Sequence, residues 1–226
     1  SKGIDHFIDN VIPFYNQYDV PLIVSISAHT VDDFARICER VSVPGVDAIE
    51  VNISCPNIEQ DGKAFAMRPS TTHSVMTKLR CASDLPLWAK LSPNTGETIE
   101  VAVAAEEAGA DALVVSNTLL SMAIDIHSRK PKLGNLMGGL SGPSLKPIAL
   151  RMAYQCAKSV DIPVIGCGGI STVEDIVEYL IAGATAIQVG TATFINPNAM
   201  VTLLAELEAF LKAQNIQDIS ELVGSV

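Results

Sequence analysis

Cationic residues are scarce in this chain. Lys and Arg number 15 against 25 Asp and Glu, a formal charge of −10 over 226 residues. A nucleic-acid surface needs Lys and Arg gathered on one face, so this balance argues against one. Cysteine pairing signals are missing as well. Cys38, Cys55, Cys81, Cys156 and Cys167 are odd in number and irregular in spacing, with no CxxC. They offer neither a zinc or iron–sulfur ligand set nor a disulfide framework, and fit a reducing cytoplasm. The four histidines, His6, His29, His73 and His127, share no metal spacing and read as surface or packed residues. No signal peptide is evident, and no apolar run approaches about 18 residues, so no membrane span is expected. No tandem repeat or Pro/Ser-rich linker divides the chain, which points to a single domain over 1–226.

What the chain has is apolar residues, 48%, against only 18% charged. That balance suits strands covered on both faces. Short β-branched runs alternate with longer amphipathic stretches. The strand candidates are 21–27, 48–54, 85–92, 112–118, 163–169 and 186–191. The helix candidates include 30–41, 71–82, 95–108, 145–159 and 172–182. Thr30 and Thr172 stand at helix starts, Thr172 with Asp175 three residues on, in a capping-box position. Gly109 and Gly183 stand where a C-cap glycine closes a helix before a strand. This βαβα rhythm, with a period of about 30 residues, predicts a parallel sheet, either a closed (β/α)8 barrel or an open doubly wound sheet. Six strands are present where a barrel needs eight. The segment 119–143 reads as one long loop, and loops of that length are often functional.

Several strand ends carry groups able to do chemistry. The segment AIEVNISCPNIEQDG runs from an apolar strand into Asn52, Ser54, Cys55 and Asn57. In parallel α/β proteins the carboxyl ends of strands are where ligands bind. Pro56 turns the chain at the thiol. The plainer reading of Cys55 is a small buried hydrophobe. Lys90 lies near the end of its strand, either beside an anion or on the surface of an edge strand. Asn117 and Thr118 end another strand, and amides there can pair with the imide edges of a planar heterocycle or simply form turns. The run Ile165-Gly166-Cys167-Gly168-Gly169 and the pair Gly190-Thr191 end the last two strands. Glycines there let backbone approach a phosphate, or else permit tight helix–strand packing. The run Gly138–Pro143 serves either a cofactor or a plain connection. Trp88 reads as core, and Glu106–Glu107 as a solvated helix face.

Together these pieces resemble the class 1 dihydroorotate dehydrogenases, the FMN-linked (β/α)8 TIM barrels. The resemblance spans nearly the whole chain. It is carried by VNISCPN (51–57), AKLSPN (89–94), SNTLLSMAIDI (116–126), KPKLGNLMGGLSGPSLKPIA (130–149), IPVIGCGGI (162–170) and AIQVGTATF (186–194). The AKLSPN and LGN…GGLSGP segments look nearest to the NAD-linked class 1B branch.

The resemblance implies oxidation of (S)-dihydroorotate to orotate in pyrimidine (UMP) biosynthesis. Cys55 would take the C5 proton while FMN N5 accepts the hydride from C6. Asn52, Asn57, Asn117 and Thr118 would hold the pyrimidine. Lys90 would sit by the flavin ring. Gly168, Gly169, Gly190 and Thr191 would hold the FMN phosphate, with Ser116, Ser141, Gly142 and Cys167 also lining the cofactor. The polar stretch 58–66 would be a lid. The implied assembly is a homodimer, or a heterotetramer with an iron–sulfur flavoprotein subunit that carries FAD and the cluster. Family members have two further βα units before the point where this chain starts, supplying a lysine and an asparagine, so two strands and part of the site are expected to be missing. Ser121 stands where the family often has glycine.

Rival readings remain at this stage. A tRNA dihydrouridine synthase shares the Asn-x-x-Cys-Pro thiol but needs a basic surface. A dihydropyrimidine dehydrogenase flavin domain should come with cluster-binding cysteines. A non-catalytic barrel fragment would only bind a partner.

Overall fold

The computed structural model describes residues 2–54 and 64–226. They form two compact units: Ser1–Leu91, Thr95–Val114 and Val160–Ile162 in the first, and Ser92–Asn94, Val115–Ser159 and Pro163–Val226 in the second.

The first unit opens with a short helical stretch, α1 (Ile4–His6), a π-helical turn over Phe7–Val11, and α2 (Ile12–Tyr15). Then β1 (Ile23–Ile26), α3 (Val31–Val41), β2 (Ala48–Val51), α4 (Pro69–Arg80), β3 (Leu87–Lys90), α5 (Thr98–Glu107) and β4 (Ala112–Val115) alternate. The strands pair parallel in chain order. Val24 aligns with Ile49 and Ile49 with Leu87; Ser25 aligns with Glu50, Glu50 with Trp88, and Trp88 with Ala112. Side chains alternate along a strand, so this register sorts the two faces. Ile49, Val51, Leu87, Ala89 and Leu113 share one face and are fully buried. Ser25, Glu50, Trp88 and Lys90 share the other. Trp88 is half-buried on that polar face, where the sequence suggested plain core.

Helix starts follow local chemistry. Thr30 caps α3 by accepting the Asp33 N–H at 3.1 Å. α4 begins two residues before the expected Thr71, because Pro69 takes the first-turn position that tolerates a missing N–H. α5 begins three residues late. Thr95 donates to the Met67 carbonyl at 3.0 Å and accepts the Glu97 N–H at 3.0 Å, which holds that segment in a turn.

The second unit contains the parallel pair β9 (Val164–Cys167) and β10 (Ala186–Gln188). Among the described residues, these two and the four strands of the first unit answer to the six read from sequence. The segment 119–143 is not one loop. It holds two antiparallel ladders, β5 (Leu119–Ser121) with β8 (Gly138–Leu140) and, within them, β6 (Ile124–Asp125) with β7 (Lys130–Pro131). Ladders of two or three residues leave too little periodicity to see in sequence. α6 (Lys146–Ala157), α7 (Val173–Ile181), the short α8 (Ala192–Ile195) and α9 (Ala199–Ala213) complete the unit. The C-cap glycines behave as expected, Gly109 at φ 91° and Gly183 at φ 108°. Among the described residues, no helix is long and apolar enough to cross a membrane.

Glu107 is exposed as expected, but Glu106 is half-buried. Its carboxylate accepts the backbone N–H groups of Asp161 at 2.7 Å and Ile162 at 3.0 Å, and so ties α5 to the segment entering β9. Glu106→Ala should therefore lower unfolding free energy by about 1–2 kcal/mol, read as a lower urea midpoint at unchanged slope.

Candidate active site

In the first unit the polar groups gather at the ends of β2 and β3. Asn52 follows β2 directly. Its N–H donates to the Ile26 carbonyl at 2.9 Å, and its Oδ1 accepts the Ser54 hydroxyl at 2.5 Å. Those bonds hold the amide in place one residue past the strand. Lys90 ends β3, which lies between β2 and β4, so the edge-strand reading fails. Its ammonium lies 3.2 Å from both carboxylate oxygens of Glu50, and Ser25 donates to Glu50 Oε1 at 2.7 Å. Sequence reasoning missed Glu50, although a lone carboxylate in the apolar strand AIEV was a usable signal. The expectations for Cys55, Asn57 and most of the lid fall outside the described residues.

In the second unit, Ser116, Asn117 and Thr118 follow β4. The Ser116 N–H donates to the Cys167 carbonyl at 2.7 Å, which brings those two expected cofactor residues together. The peptide Val115–Ser116 is cis. Asn117 Oδ1 accepts the Thr118 N–H at 2.7 Å. Asn94, which the sequence reading did not single out, braces this turn from the neighbouring loop. It donates to the Thr118 carbonyl at 3.2 Å, accepts the Leu120 N–H at 2.8 Å, and is itself held by Ser92. Gly139 backs onto Thr118: a Cβ there would lie 2.2 Å from the threonine hydroxyl. Ser121 ends β5, opposite Gly138.

The glycine-rich end of β9 is braced rather than loose. A Cβ on Gly166 would strike the Tyr179 ring at 2.5 Å, so that glycine serves packing. The Tyr179 hydroxyl donates to the Gly168 carbonyl at 2.8 Å. Gly169 has φ 74°, and a Cβ there would sit 2.6 Å from the backbone nitrogen of Lys146. The start of α7 is spent internally. Asp175 accepts the N–H groups of Ser171 at 2.8 Å and Thr172 at 2.9 Å, while Thr172 accepts the Asp175 N–H at 3.3 Å. Those three donors are therefore taken.

Lys146 reaches Asp175 at 2.7 Å and Glu178 at 3.0 Å. Burial alone would raise the Asp175 carboxyl, but the Lys146 ammonium and the two backbone N–H groups outweigh it and hold the group below its ordinary 3.8. The same hydrogen bond lifts Lys146 above 10.5.

Two further loops adjoin in this unit. A Cβ on Gly142, at φ 85°, would lie 3.9 Å from Thr191 Cγ2, while a Cβ on Gly190 would meet nothing within 4 Å. Ser141 is exposed beside them. Hydroxyls and glycine backbone with open space in front fit a phosphate-bearing group. The described thiols divide clearly: burial pushes Cys38 up to about 11 and Cys156 up to about 12, which makes both packing residues. Cys167, at the end of β9, is partly exposed.

Parallel βα units with amides, hydroxyls and glycines at their strand ends are the pattern of an α/β enzyme. The family model described as dihydroorotate dehydrogenase matches residues 1–211. The chain is 47% identical over 226 residues to the catalytic subunit of dihydroorotate dehydrogenase B (NAD(+)) of Desulforudis audaxviator, covering all of this chain and 74% of that relative. The protein of the same name from Alkaliphilus oremlandii is 46% identical over 226 residues, all of this chain and 75% of the relative. That of Trichlorobacter lovleyi is 47% identical over 227 residues, again all of this chain and 75% of the relative. The chain belongs to the dihydroorotate dehydrogenase family, whose members are flavin enzymes on a (β/α)8 barrel.

Two outcomes follow from the bracing of the glycine loop. Gly169→Ala should destabilise the protein by more than 1 kcal/mol or so, since it meets backbone at a positive φ, and should weaken retention of a phosphate-bearing ligand. Lys146→Met should lower stability at pH 7 by about 1–3 kcal/mol, by leaving Asp175 without its cation. The Asp175 contribution is complete above 3.8 and is lost as pH falls through the lower folded value. Melting curves of the wild type and the variant should therefore converge at acid pH. A gap that stays constant down to full protonation would contradict this.

Proposed function

We propose that this chain is the catalytic subunit of an NAD-linked dihydroorotate dehydrogenase, oxidising (S)-dihydroorotate to orotate in pyrimidine synthesis with FMN. The observation that supports this best is near-half identity, along the whole chain, to proteins of that name.

When bound, FMN supplies the two-electron acceptor that takes hydride from C6 of the substrate. This chain's residues do the rest. Cys55 removes the C5 proton as the general base. Asn52, Asn57, Asn117 and Thr118 present donors and acceptors to the pyrimidine imide and amide edges. The Asn94 and Gly139 contacts to Thr118 support that reading, because they hold the hydroxyl and its turn in one position. Gly168, Gly169, Gly190 and Thr191 hold the phosphate, and Ser116, Ser141, Gly142 and Cys167 line the cofactor. Lys90 places positive charge beside the flavin ring.

The relatives are named as catalytic subunits, which speaks for a second subunit. We take that subunit to be an iron–sulfur flavoprotein carrying FAD, assembled on a homodimer of this chain into a heterotetramer. The free thiols Cys38, Cys81, Cys156 and Cys167 support a cytoplasmic setting.

The flavin-loaded protein should be yellow and should bleach on anaerobic addition of dihydroorotate; a flavin that stays oxidised would contradict the substrate assignment. Cys55→Ala should retain the flavin and slow that bleaching by at least about a hundredfold, and a rate within about threefold of the wild type would remove Cys55 as the base. Without its partner, the chain should reduce artificial acceptors but not NAD.

A further inference from the structure

Glu50 has no part in the roles given above, yet it occupies the centre of the polar face in the first unit. Its side chain is 6% exposed and that of Lys90 17%. Ser25, Glu50 and Lys90 come from three adjacent strands, β1, β2 and β3, so the backbone ladder sets their spacing. Both Glu50 oxygens lie 3.2 Å from the ammonium, and the Ser25 hydroxyl donates to one of them at 2.7 Å. A pair this well buried is a poor device for stability, since desolvation offsets most of its attraction and apolar residues of similar volume serve as well. Its effect on a neighbouring ligand is larger. An ammonium beside a carboxylate acts as a dipole whose field fades faster than that of a lone charge, and in a site shielded from water this difference is strongly felt.

We propose that Glu50 is a positioning residue that fixes Lys90 at the end of β3 and sets how much of its positive charge reaches the flavin, with Ser25 adjusting the carboxylate in turn. This rests on the reading of Lys90 as a neighbour of the flavin ring. Glu50→Gln keeps an oxygen acceptor for Lys90 and removes the negative charge. Ser25→Ala does the reverse, leaving the carboxylate without its hydroxyl donor and so more able to offset the ammonium.

The test uses two readings on the flavin-loaded holoenzyme. One is the midpoint potential of the bound flavin. The other is its affinity for sulfite, an anion whose reversible addition bleaches the oxidised ring. Glu50→Gln should raise the potential and tighten sulfite binding by roughly tenfold. Lys90→Met should move both readings the opposite way, and Ser25→Ala should follow Lys90→Met in direction with a smaller amplitude. If Lys90→Met shifts both readings and Glu50→Gln shifts neither, the inference is overturned while Lys90 keeps its place. If Lys90→Met shifts neither, the placement of Lys90 fails and the inference goes with it. Should Glu50→Gln not retain flavin, Ser25→Ala decides alone, and wild-type values for both readings would overturn the proposal.

Discussion

Strands β1 to β4 run parallel, so every side chain on one face of that sheet must suit the apolar packing of Ile49, Val51, Leu87, Ala89 and Leu113. Polar groups are left two places: the opposite face and the residues just beyond each strand. Both are used. The opposite face carries Glu50 and Lys90, which are tolerated inside because each meets the other and Ser25 donates to the carboxylate. Asn52, Ser54 and Ser92 stand beyond the strands, where backbone no longer competes for their donors and acceptors.

The same economy governs the second unit. Three of its glycines serve packing: Gly166 admits the Tyr179 ring, Gly169 the backbone of Lys146, and Gly139 the side chain of Thr118. A loop pressed against its supports in this way is held in one conformation. That is what a phosphate site asks of its backbone, since donors arranged in advance need not be ordered on binding. The packing of the glycine run is thus compatible with the phosphate role proposed for it. Lys146 supports Gly169 through its backbone and neutralises Asp175 through its ammonium.

Much of the element order was legible because it depends on neighbours in sequence. Thr30, Thr172 with Asp175, Gly109 and Gly183 mark helix ends through contacts within five residues. In two places where reading failed, the deciding contact was distant. α5 starts late because Thr95 reaches Met67, and Glu106 is half-buried because Asp161, 55 residues away, presents its N–H. The nested ladders within 119–143 were missed for a different reason, being too short to show alternation.

By itself, the sequence determined the class of this protein: the βα rhythm, the parallel strands, the family motifs and the strand ends where polar groups collect. These follow from periodicity and local turn chemistry, which act over a few residues. The tertiary structure alone decided which charge meets which. Lys90 faces Glu50 across 40 residues, Lys146 faces Asp175 across 29, and Asn94 grips the turn after β4 across 24. Such pairings depend on strand register and helix packing, where a shift of one residue turns a side chain to the other face.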